Sequence, residues 1–81
     1  MNEELLDRIE INPRIMLGKP VVRGTRITVE ILLEKLASGQ TIDQILEDYP
    51  RLKREDILAA LVYARYAVGT EELIPRIMRA S

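Results

Sequence analysis

One stretch constrains what this chain can fold into: Gly18-Lys19-Pro20-Val21-Val22-Arg23-Gly24-Thr25-Arg26-Ile27-Thr28. It holds two glycines, a proline and three cations in eleven residues, with no acid among them. Val21 and Val22 are β-branched and favour extended backbone. Pro20 drives Lys19 out of the helical region. Gly24, between Arg23 and Arg26, permits a tight turn or a close backbone approach. Thr28 carries the side chain of a helix N-cap. The stretch reads as short strand, turn, short strand, helix start. The residues before it are a lead-in, and those after it read as helices.

In the lead-in, residues 2–7 suit a short helical turn or a frayed end. Arg8-Ile9-Glu10-Ile11 alternates polar and apolar, as a short half-buried strand does. Asn12-Pro13 is a turn signal, and Gly18 stops the apolar run of Ile15, Met16 and Leu17. Downstream, a first helix is predicted over 29–38. Val29, Leu32, Leu33, Leu36 and Ala37 form its apolar stripe, and Gly39 ends it in left-handed geometry. Thr41 and Gln44 make a capping box for a second helix, whose stripe is Ile42, Ile45, Leu46 and Tyr49. Pro50 closes that helix.

A third helix is predicted over about 53–68, with Glu55 and Asp56 in the first turn, where the helix dipole favours acids. No Ser, Thr, Asp or Asn stands at the cap position near Lys53. Ile57, Ala60, Leu61, Ala64 and Val68 are assigned to the core-facing stripe. Leu58, Val62 and Tyr66 form a second apolar strip beside it, which assigns them to a dimer interface, since a helix apolar on two sides is deeply buried or shared. Gly69 ends this helix, and Thr70-Glu71-Glu72 caps a short tail. The fold class is therefore mainly α: a small three-helix bundle with an N-terminal β-hairpin over 8–27, helices over 28–68 and a C-terminal tail over 69–81.

At 81 residues the chain is a single domain. It has no cysteine and no histidine, so no disulfide braces its core. A core this small is marginal, and oligomerisation is the usual remedy, so a homodimer is expected. No apolar run reaches the length of a membrane span. The first residues are acidic where a signal peptide is basic, so a cytoplasmic setting is expected. The net charge of −1 is unevenly spread: −3 over residues 1–10, +4 over 11–29, −4 over 30–50 and +2 over 51–81. The basic segment suits phosphate or a solvated hairpin surface.

Helices of this order, the last two joined through a proline turn, match a helix-turn-helix or any small three-helix bundle. The third helix is poor in the Arg, Lys, Asn and Gln that read base edges. From Ile57 to Val68 its only charged residue is Arg65. If DNA is bound, Lys19, Arg23, Arg26, Arg51, Lys53 and Arg54 are the candidate contacts. Enzymatic activity is not expected, because no His or Cys offers a base or nucleophile. The acids show no metal-ligand spacing, so neither metal nor cofactor is expected. In the tail, Leu73, Ile74, Ile77 and Met78 lie beside Arg76 and Arg79. This segment either folds back over the third helix or docks on a partner with an acidic cavity.

Two runs carry a family resemblance. The first is Arg8-Ile9-x-Ile-Asn-Pro-x-Ile-x-x-Gly18-Lys19-Pro20-Val-Val-Arg23-Gly24-Thr25-Arg26-Ile27-x-Val29. The second is Ile42-x-x-Ile45-Leu46-x-x-Tyr49-Pro50-x-Leu52-x-x-Glu55-Asp56-Ile57-x-x-Ala60-Leu61. Together they resemble the prokaryotic family known as domain of unknown function 433. The first run is the specific one, and Gly18, Lys19, Pro20, Arg23, Gly24, Thr25 and Arg26 match its signature. Lys53 departs from the pattern, standing where members tend to carry a Thr or Ser cap. The resemblance implies a helix-turn-helix-like, homeodomain-like or winged-helix-like fold. It also implies a role as the antitoxin (VapB-type) of a type II toxin–antitoxin pair, with a PIN-like ribonuclease toxin as partner. In that role the tail residues Leu73, Ile74, Arg76, Ile77, Met78 and Arg79 are the expected toxin contacts, with operator DNA as a second partner. The alternatives are a DNA-binding regulator without a toxin, and a structural dimerisation module.

Overall fold

The computed structural model describes residues 3–69. The expectations for Gly69's successors, including Leu73, Ile74, Arg76, Ile77, Met78 and Arg79, lie outside the described residues. The elements run in the order α1 (Glu3–Leu6), β1 (Ile9–Glu10), β2 (Val21–Val22), α2 (Val29–Ala37), α3 (Ile42–Asp48) and α4 (Arg54–Gly69), with a 3-10 turn at Met16–Gly18. The chain is thus mainly helical with an antiparallel β-pair near its start. Of the two states open to residues 2–7, the helical turn is the one formed, as the short helix α1.

β1 and β2 pair antiparallel, Ile9 opposite Val22 and Glu10 opposite Val21. The second short strand expected after Gly24 is reduced to a single bridge, Val21 to Thr28. The reason lies in the turn. Gly24 has φ +80°, and the Thr25 N–H donates to the Val22 carbonyl at 2.9 Å. A positive φ at the third position is what a type II turn demands. The Thr25 hydroxyl donates to the same carbonyl at 2.7 Å and accepts the Ile27 N–H at 3.0 Å. Thr28 then leaves the ladder to cap α2, its oxygen accepting the Ile31 N–H at 3.0 Å.

The helix ends obey the local signals. The Gly39 N–H donates to Leu36 and the Gln40 N–H to Lys35. With Gly39 at φ +101°, these bonds make a Schellman motif that satisfies the last carbonyls of α2. Thr41 and Gln44 form both bonds of the capping box of α3. Tyr49, forced by Pro50, sits at φ −126°, ψ 78° and stops that helix.

α4 is the hub, packing against α1, β1, α2 and α3. The core gathers Ile9, Val22, Val29, Leu32, Ile45, Leu52, Ile57, Ala59 and Ala60, with Leu36, Ile42, Leu46, Tyr49 and Tyr63 against it. The stripe assigned to the third helix needs correction. Ile57 and Ala60 are fully buried, but Leu61 is 40% exposed and Val68 50% exposed. Asp56 and Ala59 are buried in their place. At 100° per residue, Asp56, Ala59, Ala60 and Tyr63 share one face. Two adjacent alanines on that face let the other elements approach the helix axis closely, which turns the neighbouring Leu61 outward. Ala37, assigned to the α2 stripe, is likewise exposed.

Candidate functional site

The basic residues of the signature stretch do different jobs. The Arg23 N–H donates to the Arg8 carbonyl at 2.7 Å, beside the Ile9–Val22 pair. Its guanidinium then reaches back, donating from Nε to the Asp7 carbonyl at 2.7 Å and from Nη2 to the Ile9 carbonyl at 3.3 Å. A planar fork suits two backbone acceptors at once. Arg23 therefore stitches the turn to the α1–β1 junction. Lys19 is paired with Glu30 at 3.1 Å on the surface.

Arg26 and Arg51 come together although the sequence separates them. Arg51 donates from Nη2 to the Gly24 carbonyl at 3.2 Å. The two arginines line one open groove of about 550 Å³ with Ile15, Gly24, Thr25 and Ile27. Lys53 and Arg54 come after Arg51, leading into the first turn of α4, and both are exposed. Of the six cations singled out, Arg26 and Arg51 share one groove, and Lys53 and Arg54 follow Arg51 in sequence as exposed residues. Arg23 is held in the frame, and Lys19 faces α2.

One residue that sequence reasoning explained by the dipole alone organises this region. Asp56 is 7% exposed. Its Oδ1 accepts from Arg8 Nη1 at 3.1 Å, and its Oδ2 accepts the Lys53 N–H at 2.8 Å. The second bond is half of a capping box: the third helical residue reaches back to the cap backbone. The missing Ser or Thr at Lys53 is therefore answered from the other side. The signal was present as an acid three residues after the cap position. Its turning inward leaves Glu55 as the exposed acid of this first turn.

The strip assigned to dimerisation flanks the buried face of α4. Leu58 and Val62 are half-buried and Tyr66 is 47% exposed. Across the helix, where the last turns of α4 pass α2, Pro20, Val29, Leu33, Tyr63, Ala64 and Val68 line an apolar groove of about 270 Å³ with Glu30 at its rim. Among the described residues no group of three or more metal-ligating side chains gathers, and no helix is long and apolar enough to cross a membrane.

A small, mainly helical domain led by an antiparallel β-pair and braced by arginines is the class these features define. Residues 9–64 match the family described as "Protein of unknown function (DUF433)", and the chain belongs to that family. It is 42% identical over 53 residues to the uncharacterized protein y4eO of Sinorhizobium fredii, covering 65% of this chain and 24% of that protein. The chain therefore spans about a quarter of that relative's length. The crystal structure of a DUF433 member protein from Anabaena variabilis superposes with a TM-score of 0.69 at 31% identity, over 95% of this chain and 73% of that one.

Proposed function

We propose that this chain acts by binding rather than by catalysis, as the antitoxin of a type II toxin–antitoxin pair in the cytoplasm. Its partner is a PIN-like ribonuclease. The observation that supports this reading most is on α4, where Leu61 and Val68, seven residues apart on one face, are 40% and 50% exposed just before residues 70–81. Neighbouring exposed apolar side chains of this kind suit a surface that another protein covers. In this reading Leu73, Ile74, Ile77 and Met78 continue the contact. A metal-dependent nuclease holds its metal in clustered carboxylates. Arg76 or Arg79 enters that acidic site and displaces the metal. Co-expression with the neighbouring reading frame, with a tag on this chain, tests the reading. A small protein that co-elutes in fixed ratio and shows RNase activity only when freed is the expected result. Elution of this chain alone counts against it. Truncating residues 70–81 without loss of affinity removes the tail mechanism.

A second reading, operator binding by the same protein, is favoured by the groove that Arg26 and Arg51 share, with Lys53 and Arg54 exposed just after it in sequence. Its signature is an affinity that falls steeply with salt, with a slope set by the number of phosphates contacted. Binding to the upstream DNA that is absent or flat with salt rejects it.

A further inference from the structure

Residues 16–18 carry a feature that neither reading uses. Met16, Leu17 and Gly18 all have positive φ, at 50°, 59° and 83°. Leucine and methionine rarely adopt this left-handed geometry, because Cβ crowds the following carbonyl. Local bonds hold them there. The Arg14 N–H donates to Asn12 Oδ1, the Ile15 N–H to the Asn12 carbonyl, the Gly18 N–H to the Ile15 carbonyl and the Lys19 N–H to the Met16 carbonyl. The outcome is a knob. Leu17 is 94% exposed, with its chain neighbour Met16 at 40%. A leucine that is both strained and solvent-exposed contributes nothing to the fold of its own chain. Strain of this kind persists where something else uses the side chain.

The geometry points to a second copy of this chain as the partner: Leu17 of each copy seats in the groove between α2 and α4 of the other. Three observations converge. The groove is lined almost wholly by Pro20, Val29, Leu33, Tyr63, Ala64 and Val68, an apolar surface that suits an aliphatic side chain. Knob and groove are neighbours, because Leu17 lies three residues from Pro20, which limits their separation to about 11 Å. In the proposed dimer a single two-fold axis passes between them and seats both knobs at once, as a self-complementary interface requires. Charge also matches. The knob segment carries Arg14 and Lys19 with no acid from residue 11 to 29, whereas the α2 wall of the groove presents the exposed Glu30. The exposed Lys19–Glu30 pair stands where knob and groove meet, so its partners can exchange across the axis. This contact is distinct from the Leu58/Val62/Tyr66 strip, which lies on the other side of α4.

Sedimentation velocity on the full chain, over a concentration series, tests the proposal with three variants. Wild type is expected to dimerise. Leu17→Asn suits left-handed backbone better than leucine. It is expected to raise the melting temperature at concentrations where the chain is monomeric while weakening dimerisation about tenfold or more. Ala64→Arg blocks the groove and is expected to be monomeric as well. Mixing the two variants restores association, because one intact knob then meets one intact groove. The proposal is overturned by a wild-type monomer at all concentrations, by a Leu17→Asn dimer of wild-type affinity, or by growth beyond the dimer. A dimer lost only in Tyr66→Asp also overturns it and assigns the contact to the outer strip of α4.

Discussion

Arg8 and Asp56 stand 48 residues apart in sequence and meet at 3.1 Å, joining the entrance of β1 to the first turn of α4. The carboxylate is nearly buried and Arg8 is 38% exposed at its side chain. The pair thus lies between a surface bridge, worth little, and a buried one, whose rupture is costly. Asp56 also accepts the Lys53 N–H, a cap bond worth about 1 kcal/mol. Asp56→Ala is therefore expected to lower stability by about 2 kcal/mol. Asp56→Asn keeps an acceptor for Lys53 and should lose about half as much. Urea denaturation midpoints measure both. Equal losses in the two variants would mean that the charge alone matters and the cap does not.

The same corner predicts a stabilising change. At Lys53 only the backward half of a capping box is made, from Asp56. Lys53→Ser supplies the forward half, a hydroxyl that accepts from the Asp56 N–H in place of the Lys53 carbonyl it now meets at 2.9 Å, and is expected to add about 0.5 kcal/mol. It also removes a cation. If operator DNA is bound through this face, the salt slope drops by about one unit in the same variant. Higher stability with an unchanged slope separates the cap from the DNA contact.

Legibility from sequence tracks how local each determinant is. The Thr41–Gln44 box, the Thr28 cap, the Gly39 ending and the stop before Pro50 depend on residues within one turn, and each is readable. The face of α4 is not. Two apolar strips lie on that helix with their centres about 145° apart. The choice between Leu61 and Ala59 as core residue is made by how closely α2 and β1 approach, which no local pattern encodes. Asp56 reads as a dipole residue because an acid in a first turn has that sufficient explanation, and its partner Arg8 is remote. The basic patch is readable as composition. Its division is not, because the Arg23 bonds to Asp7 and Ile9 depend on the β1–β2 register.

That division gives a third prediction, a contrast between two arginines of one motif. Arg23 donates to two backbone carbonyls, whereas Arg26 lies exposed on the rim of the groove it shares with Arg51. Arg23→Lys removes the fork and is expected to cost about 1–2 kcal/mol. Arg26→Ala should stay within about 0.5 kcal/mol of wild type, as surface changes usually do. If operator DNA is bound through this face, the ranking inverts in a DNA titration, with Arg26→Ala weakening affinity and lowering the salt slope more than Arg23→Lys does. Thermal unfolding and salt-dependent titration of both proteins check the contrast. A stability loss at Arg26 equal to that at Arg23 would contradict the structural division.

Gly24 offers the cleanest separation of strain from crowding. Its φ is +80°, and a Cβ added there meets no atom within 4 Å. Any cost of substitution is therefore conformational. Gly24→Ala is expected to destabilise by about 1–2 kcal/mol. Gly24→Asn should cost less, since asparagine tolerates left-handed backbone. The carbonyl of Gly24 also accepts from Arg51, so a turn that shifts to relieve the strain loosens the groove shared by Arg26 and Arg51. Chemical denaturation gives the first effect, and amide exchange at the Thr25 N–H, which donates to Val22, gives the second. If alanine and asparagine are equally costly, side-chain crowding rather than φ governs the position, and the left-handed turn that Gly24 provides is not what the motif requires.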